Sequence, residues 1–510
     1  MDVRFVDTTF RDGSQSHWAA GIRIGMIEAV AQTMGQAGFQ AIEVPLSGNH
    51  VKKLVRDAKE SPWDMARMVA RTMPRTVKGT MAGAYIMPFE AMPPKPLIEL
   101  YWAHLVKLGA LNRVQVTANV TDQSKRVFPW LVPMFRNMGL QIALNLSYTI
   151  SPRHTDEYYA RKTRELIDFG PDVVYLKDQG GLLTVDRART LLPAMLQSAS
   201  GVPVELHSHC TTGLAPLVYL EALKLGIRTL HTSVPPLANG SGQPSVFNVA
   251  GNAQLMGFSP RVDLTRLHTV AERLTAVAKQ ERLPIGVPLE YDAAQYIHQV
   301  PGGVISNLRN QLAGMRILDR LEEVLDESVR VRKDLGYPIM ITPLSQFVVS
   351  QAAINVMMGD RYKHVIDEVI MFAQGVYGED SGYPWMDQNL KDRLLGLRRA
   401  QELVALRKNP DISLKEVRNR LGGPGVSDEE FLLRYIMKGE AEIQAMRAAG
   451  PPKRYFNASL PLLTLVQELG KHRRIGYVKL QRGKDSLVVQ GRSTPSPNSR
   501  GMPDASEKSV

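Results

Sequence analysis

Eight short β-rich apolar runs alternate with longer stretches of helical period across the first 280 or so residues, and this alternation constrains the fold more than any other feature of the chain. It predicts parallel strands joined by crossover helices. The strand candidates are Val3 to Thr9, Ala41 to Pro45, Thr76 to Ala82, Val114 to Val120, Gln141 to Tyr148, Val173 to Lys177, Pro203 to His209 and Arg228 to Val234. Helical stretches include Gly21 to Gly38, Pro96 to Leu108, Asp156 to Phe169, Val185 to Gln197 and Leu214 to Gly226, and Asp263 to Glu281 follows the eighth strand. That count predicts a (β/α)8 TIM barrel. A doubly wound open sheet usually carries a Gly-rich phosphate loop after its first strand, and none is present here.

Beyond about residue 300 helical periodicity takes over, in Leu318 to Lys333, Ser345 to Met358 and Asp392 to Arg407. The expected organisation is a barrel over 1–300, a mainly helical C-terminal domain over 301–450 that completes the active site, and a basic extension over 451–510. The extension contains two strand-like pieces, Arg474 to Gln481 and Ser486 to Gln490, and is expected to be disordered from about Gly491.

The net charge of +12 would suggest nucleic acid if it lay across the folded body. It does not: the last 60 residues hold 11 Lys and Arg against 4 Asp and Glu, leaving +5 for the first 450. No binding motif accompanies the charge, so no nucleic-acid partner is expected. The single cysteine, Cys210, rules out an internal disulfide and a thiolate zinc cluster, so any metal must rest on His and carboxylates. No apolar run reaches the roughly 18 residues of a membrane span, and the chain opens without a leader-like segment, which together predict a cytoplasmic protein.

Chemistry concentrates at the carboxyl ends of the predicted strands, where barrel enzymes place their active sites. His207 and His209 are two apart on one strand and point to the same face. That spacing suits two metal ligands and equally a polar structural pair. Asp12 follows the first strand and Lys177 closes the sixth, which supplies a carboxylate and an amine to the same end. Two imidazoles and one carboxylate suit a zinc-like or manganese-like ion with open positions. Lys177 has two readings: a lysine with a lowered pKa that reacts with CO2 to give an anionic carbamate ligand, or a salt bridge to Asp12 or Asp178. Arg11 and Gln15 flank Asp12 and could hold a keto acid, a guanidinium fork for a carboxylate or enolate oxygen and an amide for a carbonyl. The alternative for Arg11 is a surface ion pair.

Taken together, these residues resemble the carboxyltransferase family of biotin-dependent enzymes: the carboxyltransferase domain of pyruvate carboxylase, the oxaloacetate decarboxylase α subunit and the keto-acid subunit of transcarboxylase. The resemblance spans about Val3 to Gly378. It rests on Asp7-Thr8-Thr9-Phe10-Arg11-Asp12, Ser147 to Thr155, Leu176-Lys177-Asp178, His207-Ser208-His209, Gln299 to Gly303 and Ile341-Thr342-Pro343-Leu344-Ser345-Gln346. It implies a divalent metal (Zn2+, with Mn2+ or Co2+ as alternatives) held by Asp12, carbamylated Lys177, His207 and His209. It implies keto-acid binding by Arg11 and Gln15, and Thr342 as the group that shuttles a proton between the acceptor and the biotin ureido nitrogen. Thr342 also fits a helix N-cap ahead of Pro343.

The expected reaction moves CO2 between carboxybiotin and an enolisable 2-oxo acid such as pyruvate or oxaloacetate, or a related carbonyl compound. No Met-Lys-Met biotinylation triplet occurs, the nearest match being Met437-Lys438-Gly439 in a segment of helical pattern. A biotin carboxyl carrier protein and a biotin carboxylase are therefore expected on separate chains, with a homodimer within a larger complex. Departures from the family pattern fall around the acceptor: Ser14 replaces a His, Gln179 a Met, Cys210 an Asp or Ser, Lys52 an Asp, and Lys78 an Arg assigned to the acceptor's carboxylate. The second reading is a metal-dependent aldol-type lyase or condensing enzyme acting without biotin.

Overall fold

The computed structural model describes residues 1–82, 93–117, 122–314, 316–341, 343–406, 413–455, 469, 477–482 and 485–490. Eight parallel strands form the barrel: β1 (Asp2–Asp7), β2 (Ala41–Glu43), β3 (Lys78–Ala82), β4 (Arg113–Thr117), β5 (Gln141–Ser147), β6 (Val173–Asp178), β7 (Val204–Ser208) and β8 (Thr229–Thr232). Each pairs with the next, and β1 closes the ring against β8 with Arg4 opposite Thr229 and Asp7 opposite Thr232.

Helices follow the strands at nearly the expected positions, among them Ile24–Gly35, Lys95–Lys107, Asp156–Ile167, Val185–Ser198, Ala215–Lys224 and Leu264–Glu281. Side chains of Thr155, Thr184 and Asp263 accept from backbone N–H groups in the first turn of their helices, supplying partners the helix itself cannot. Gly109 and Gly170 take positive φ just past two helix ends, which reverses the chain toward the next strand.

Three local differences from the sequence-based expectation matter. β1 ends at Asp7, because Gly13 N–H reaches back to Thr8 O at 2.9 Å and opens a wide turn. A helix, Val246–Leu255, and a two-residue strand, β9 (Ser259–Pro260), intervene before Leu264–Glu281; β9 pairs with β1. The last expected helix is two, Gln388–Leu395 and Arg398–Leu406, broken at Gly396. Ala118 to Val120 of the expected fourth strand and the tail from Gly491 lie outside the described residues.

Strand residues facing the helices are apolar, as with Val174 and Leu176, and register pairing puts Tyr175 and Lys177 on the opposite, inward face together with Glu205 and His207. Barrel interiors are usually packed with branched aliphatics. This one instead holds Glu43, Arg113, Gln115, Asn145, Tyr175, Glu205 and His231, each no more than 1% exposed.

The helical region has its own core of Val324, Leu335, Leu344, Phe347, Val348 and Phe372 among others. It returns to the barrel at several points. Buried Arg332 donates to Thr149 Oγ1 (3.1 Å) and Ile150 O (3.0 Å) beyond β5, and to Pro338 O (3.1 Å) on its own side. Farther along, Trp63 Nε1 donates to Glu429 O at 3.1 Å, and Leu433 and Ile443 pack on Val55. Barrel and helices thus belong to one body, Met1–Lys453, while Arg454–Val510 forms a second unit. Within the second, β10 (Tyr477–Arg482) and β11 (Asp485–Gln490) pair antiparallel. Met437 ends the helix Asp428–Met437 and Lys438 takes a left-handed conformation before Gly439, so that triplet is a helix terminus rather than helix interior. Among the described residues, no helix is long and apolar enough to cross a membrane.

Candidate active site

The wide turn after β1 delivers Arg11 and Asp12, both buried, to the carboxyl end of the barrel. Such one-turn departures from regular helix recur at functional sites. Asp12 is the hub. Its Oδ2 lies 3.4 Å from His207 Nε2 and 3.8 Å from Lys177 Nζ, and its Oδ1 lies 3.7 Å from His209 Nε2. Three of these four, Asp12, His207 and His209, form a group with metal-ligand chemistry, all buried. The four residues expected to meet at a metal do come together.

Electrostatics holds the cluster in a defined state. Burial would raise the Asp12 pKa, but Arg11 and then Lys177 outweigh it and hold the carboxyl well below its ordinary value. Burial pushes the Lys177 amine below its ordinary value, with Asp12 opposing and Arg11 reinforcing. His207, likewise driven down by burial, is neutral. Lys177 does not pair with Asp178. That neighbour faces outward, accepting from Leu182 N–H (2.8 Å), Leu183 N–H (2.9 Å) and the Ser208 hydroxyl (2.7 Å). Of the two salt-bridge partners considered, only Asp12 remains.

Arg11 is no surface ion pair: it donates to Asp12 Oδ2 at 2.7 Å and to Glu43, and its own carbonyl accepts from His50 Nε2 at 2.9 Å. His50 is neutral, burial pushing its pKa down to about 3. Gln15 is exposed on the short helix Ser14–Trp18 that follows. Thr342 lies outside the described residues.

Lys78 requires a correction. It opens β3 at the barrel's opposite end, where Nζ donates to the carbonyls of Met73 (2.8 Å) and Thr76 (3.0 Å), and its register partner Ile42 puts it on the outward face. It does not reach the site, and therefore cannot replace an arginine there. Gln179 holds Tyr148 O (3.2 Å) rather than a metal ligand, and Cys210 is a buried thiol with its pKa pushed up by desolvation.

Sequence reasoning missed Glu43 and Gln243. The Gln243 amide bridges both imidazoles, its Nε2 lying 3.2 Å from His207 Nε2 and 3.0 Å from His209 Nε2, while its Oε1 accepts from Thr8 Oγ1 at 2.7 Å. His209 Nδ1 lies 2.6 Å from Ser241 O, which requires the proton on Nδ1 and frees Nε2 to face Asp12. The donor set fits a divalent ion: two imidazoles whose Nε2 atoms face Asp12, an ionised carboxylate, and an amine beside them.

Two family models match the chain: HMGL-like over residues 2–274 and a conserved carboxylase domain over 296–450. A pyruvate carboxylase subunit of Methanocaldococcus jannaschii is 32% identical over 387 residues, covering 74% of this chain and 66% of that protein. The 2-oxoglutarate carboxylase large subunit of Hydrogenobacter thermophilus is 29% identical, covering 81% and 61%. The methylmalonyl-CoA carboxyltransferase 5S subunit of Propionibacterium freudenreichii is 27% identical, covering 74% of each. The chain thus spans somewhat under two thirds of the first two of these relatives. In fold it is similar to the carboxyl transferase domain of Rhizobium etli pyruvate carboxylase solved with pyruvate, at a TM-score of 0.77 and 20% identity over 88% of this chain and 77% of that one.

Proposed function

Because the chain belongs to the HMGL-like family and carries the conserved carboxylase domain of the biotin-dependent carboxyltransferases, we propose that it is the carboxyl-transfer component of a biotin-dependent system. One observation carries this reading: His207, His209 and Lys177 converge on the Asp12 carboxylate, between 3.4 and 3.8 Å, at the end of the barrel where such enzymes react. The conserved carboxylase domain behind the barrel favours carboxyl transfer over the biotin-independent lyase reading.

Asp12, His207 and His209 would hold a divalent ion, Zn2+ in the first instance, with carbamylated Lys177 as the fourth ligand. The ion would supply positive charge toward the enolate oxygen of the acceptor. Lys177 supports the carbamate: its depressed pKa raises the share of neutral amine that can attack CO2, forming the N–C bond and releasing one proton. Arg11, already bound to Asp12 and Glu43, fixes the turn and adds charge beside the acceptor. Gln15, exposed on the helix Ser14–Trp18, would orient the acceptor's carbonyl.

Carboxybiotin would supply CO2 by scission of its N–C bond, in a site shielded from water. The acceptor's C–H proton passes through the Thr342 hydroxyl to the ureido nitrogen, and the enolate carbon forms the new C–C bond. Biotin arrives on a carrier protein, and it is charged by a biotin carboxylase on another chain. Two copies of the chain pair as a homodimer in that complex. With Lys78 out of reach and the Ser14 and Lys52 positions altered, the acceptor is a 2-oxo acid not restricted to pyruvate.

The test is carboxyl exchange from a carboxylated carrier across pyruvate, 2-oxobutyrate and 2-oxoglutarate, with acyl-CoA substrates assayed in parallel without biotin. Biotin-dependent exchange with one 2-oxo acid is expected. Cleavage of an acyl-CoA with no biotin requirement would replace this reading with the lyase.

A further inference from the structure

Behind the site, the barrel interior contains a line of polar side chains that the proposed chemistry does not use. His207 Nδ1 lies 3.2 Å from His231 Nδ1, and His231 Nε2 lies 2.9 Å from Glu205 Oε2. Arg113 closes the line with Nη2 donating to Glu205 Oε2 at 2.6 Å and Nη1 to Oε1 at 3.3 Å. All four residues are 0–1% exposed, and they come from β4, β7 and β8, so the line crosses the barrel instead of following one strand.

We propose that Arg113, Glu205 and His231 form a positioning relay that sets the tautomer of His207, keeping its proton on Nδ1 and its Nε2 lone pair directed at Asp12 and a bound divalent ion. The logic runs from the buried charge outward. The Arg113 guanidinium lies against Glu205 and keeps it ionised, so this carboxylate only accepts hydrogen bonds. His231 must then donate through Nε2. Its Nδ1 then faces His207 Nδ1 at 3.2 Å as the acceptor. The facing Nδ1 of His207 is therefore the donor, and its Nε2 is left unprotonated. Gln243 agrees independently, because its amide nitrogen at 3.2 Å donates to His207 Nε2 only when that atom carries no proton.

The two histidines are thus set by different devices. His209 donates to a backbone carbonyl at Ser241, which no side-chain substitution removes. His207 relies on three side chains, and a second-sphere partner of a metal-binding histidine is worth about 10–100-fold in metal affinity. An apolar residue at position 231 would leave Glu205 Oε2 with Arg113 as its one remaining donor among the described residues, and a lost hydrogen bond to a buried charge costs free energy.

The inference rests on the metal reading of the site, and its test separates the two. Co2+ is titrated into the metal-stripped full-length chain and followed by its visible absorption, for wild type, His231→Leu and His231→Gln. Leu preserves bulk without hydrogen bonds; Gln can accept from His207 and donate to Glu205. The expected result is about 10–100-fold weaker Co2+ binding by His231→Leu, with near wild-type binding restored in His231→Gln. Equal binding by wild type and His231→Leu, or no rescue by Gln, overturns the relay. Nitrogen NMR of the metal-stripped, 15N-histidine-labelled wild type, with the His207 signals identified by their loss in His207→Gln, reads the tautomer directly. A proton on Nδ1 is expected, and one on Nε2 overturns the relay even if His231→Leu fails to fold. Wild type that binds no Co2+ refutes the metal reading, and the tautomer measurement still decides the relay.

Discussion

Replacing Glu205 with Gln keeps the side chain's shape and removes its charge from the barrel interior. In the native chain burial pushes the Glu205 pKa upward, but Arg113 at 2.6 Å, followed by the His231 hydrogen bond, overcomes it and brings the group from an ordinary 4.5 down to about 2. A fall from 4.5 to about 2 corresponds to about 3 kcal/mol. Stranding one member of a buried ion pair typically costs about 3–5 kcal/mol, because the remaining charge stays desolvated. The two routes agree on a loss of about 3–4 kcal/mol for Glu205→Gln, measured by urea unfolding at pH 7. A depressed carboxylate pKa contributes stability that is complete above pH 4.5 and is lost as pH falls through 2, so the gap between wild type and variant should close across that window. The double replacement Arg113→Met with Glu205→Leu, which removes both charges, should recover most of the loss. A deficit under about 1 kcal/mol, or a gap that ignores pH, would refute the claim that this pair is held by its charge.

Asp12→Ala should reduce Co2+ binding from one equivalent per chain to none, read by metal analysis after gel filtration. Native mass spectrometry in bicarbonate buffer should show one CO2 on wild type and none on Lys177→Ala; an unmodified wild type would count against the carbamate. Thr342→Ala should slow biotin-dependent exchange by about 10²–10⁴-fold, the usual weight of a positioned proton shuttle, while Co2+ affinity stays unchanged. Arg332→Leu removes the donor to Thr149 Oγ1 and Pro338 O, while Ile150 O keeps Gln299 Nε2 at 3.0 Å, and should destabilise the body by about 1–3 kcal/mol in urea unfolding.

The barrel was legible because its helix-facing strand residues are apolar and its helices keep a 3.6-residue period, both local properties. Asp12, Lys177, His207 and His209 were legible as candidates because each lies at or just beyond the carboxyl end of a strand, and the resemblance to the carboxyltransferases joined them into one ligand set. Lys78 was misplaced because it opens the third strand, and the amino end of a barrel strand lies opposite the site. The polar interior was harder to read. Glu205 stands two residues before His207, so the alternation Glu-x-His-x-His was visible. Its partners Arg113 and His231, however, are 92 and 26 residues away and meet it only through barrel register. Gln243 sits in a loop with no periodicity at all, and nothing local distinguishes it from a surface amide.

The closure of β1 against β8 has a consequence for how the chain is made. Arg4 finds its partner at Thr229, so 225 residues must be synthesised between the two halves of that pairing. At about 5–20 residues per second, β1 leaves the ribosome some 11–45 s before the strand that covers its open edge. During that interval its unpaired N–H and C=O groups offer a template to other nascent strands. Crowded translation is thus a condition under which this barrel is exposed to mispairing. Slowing initiation or supplying a holding chaperone should raise its soluble yield more than any stabilising substitution elsewhere in the fold.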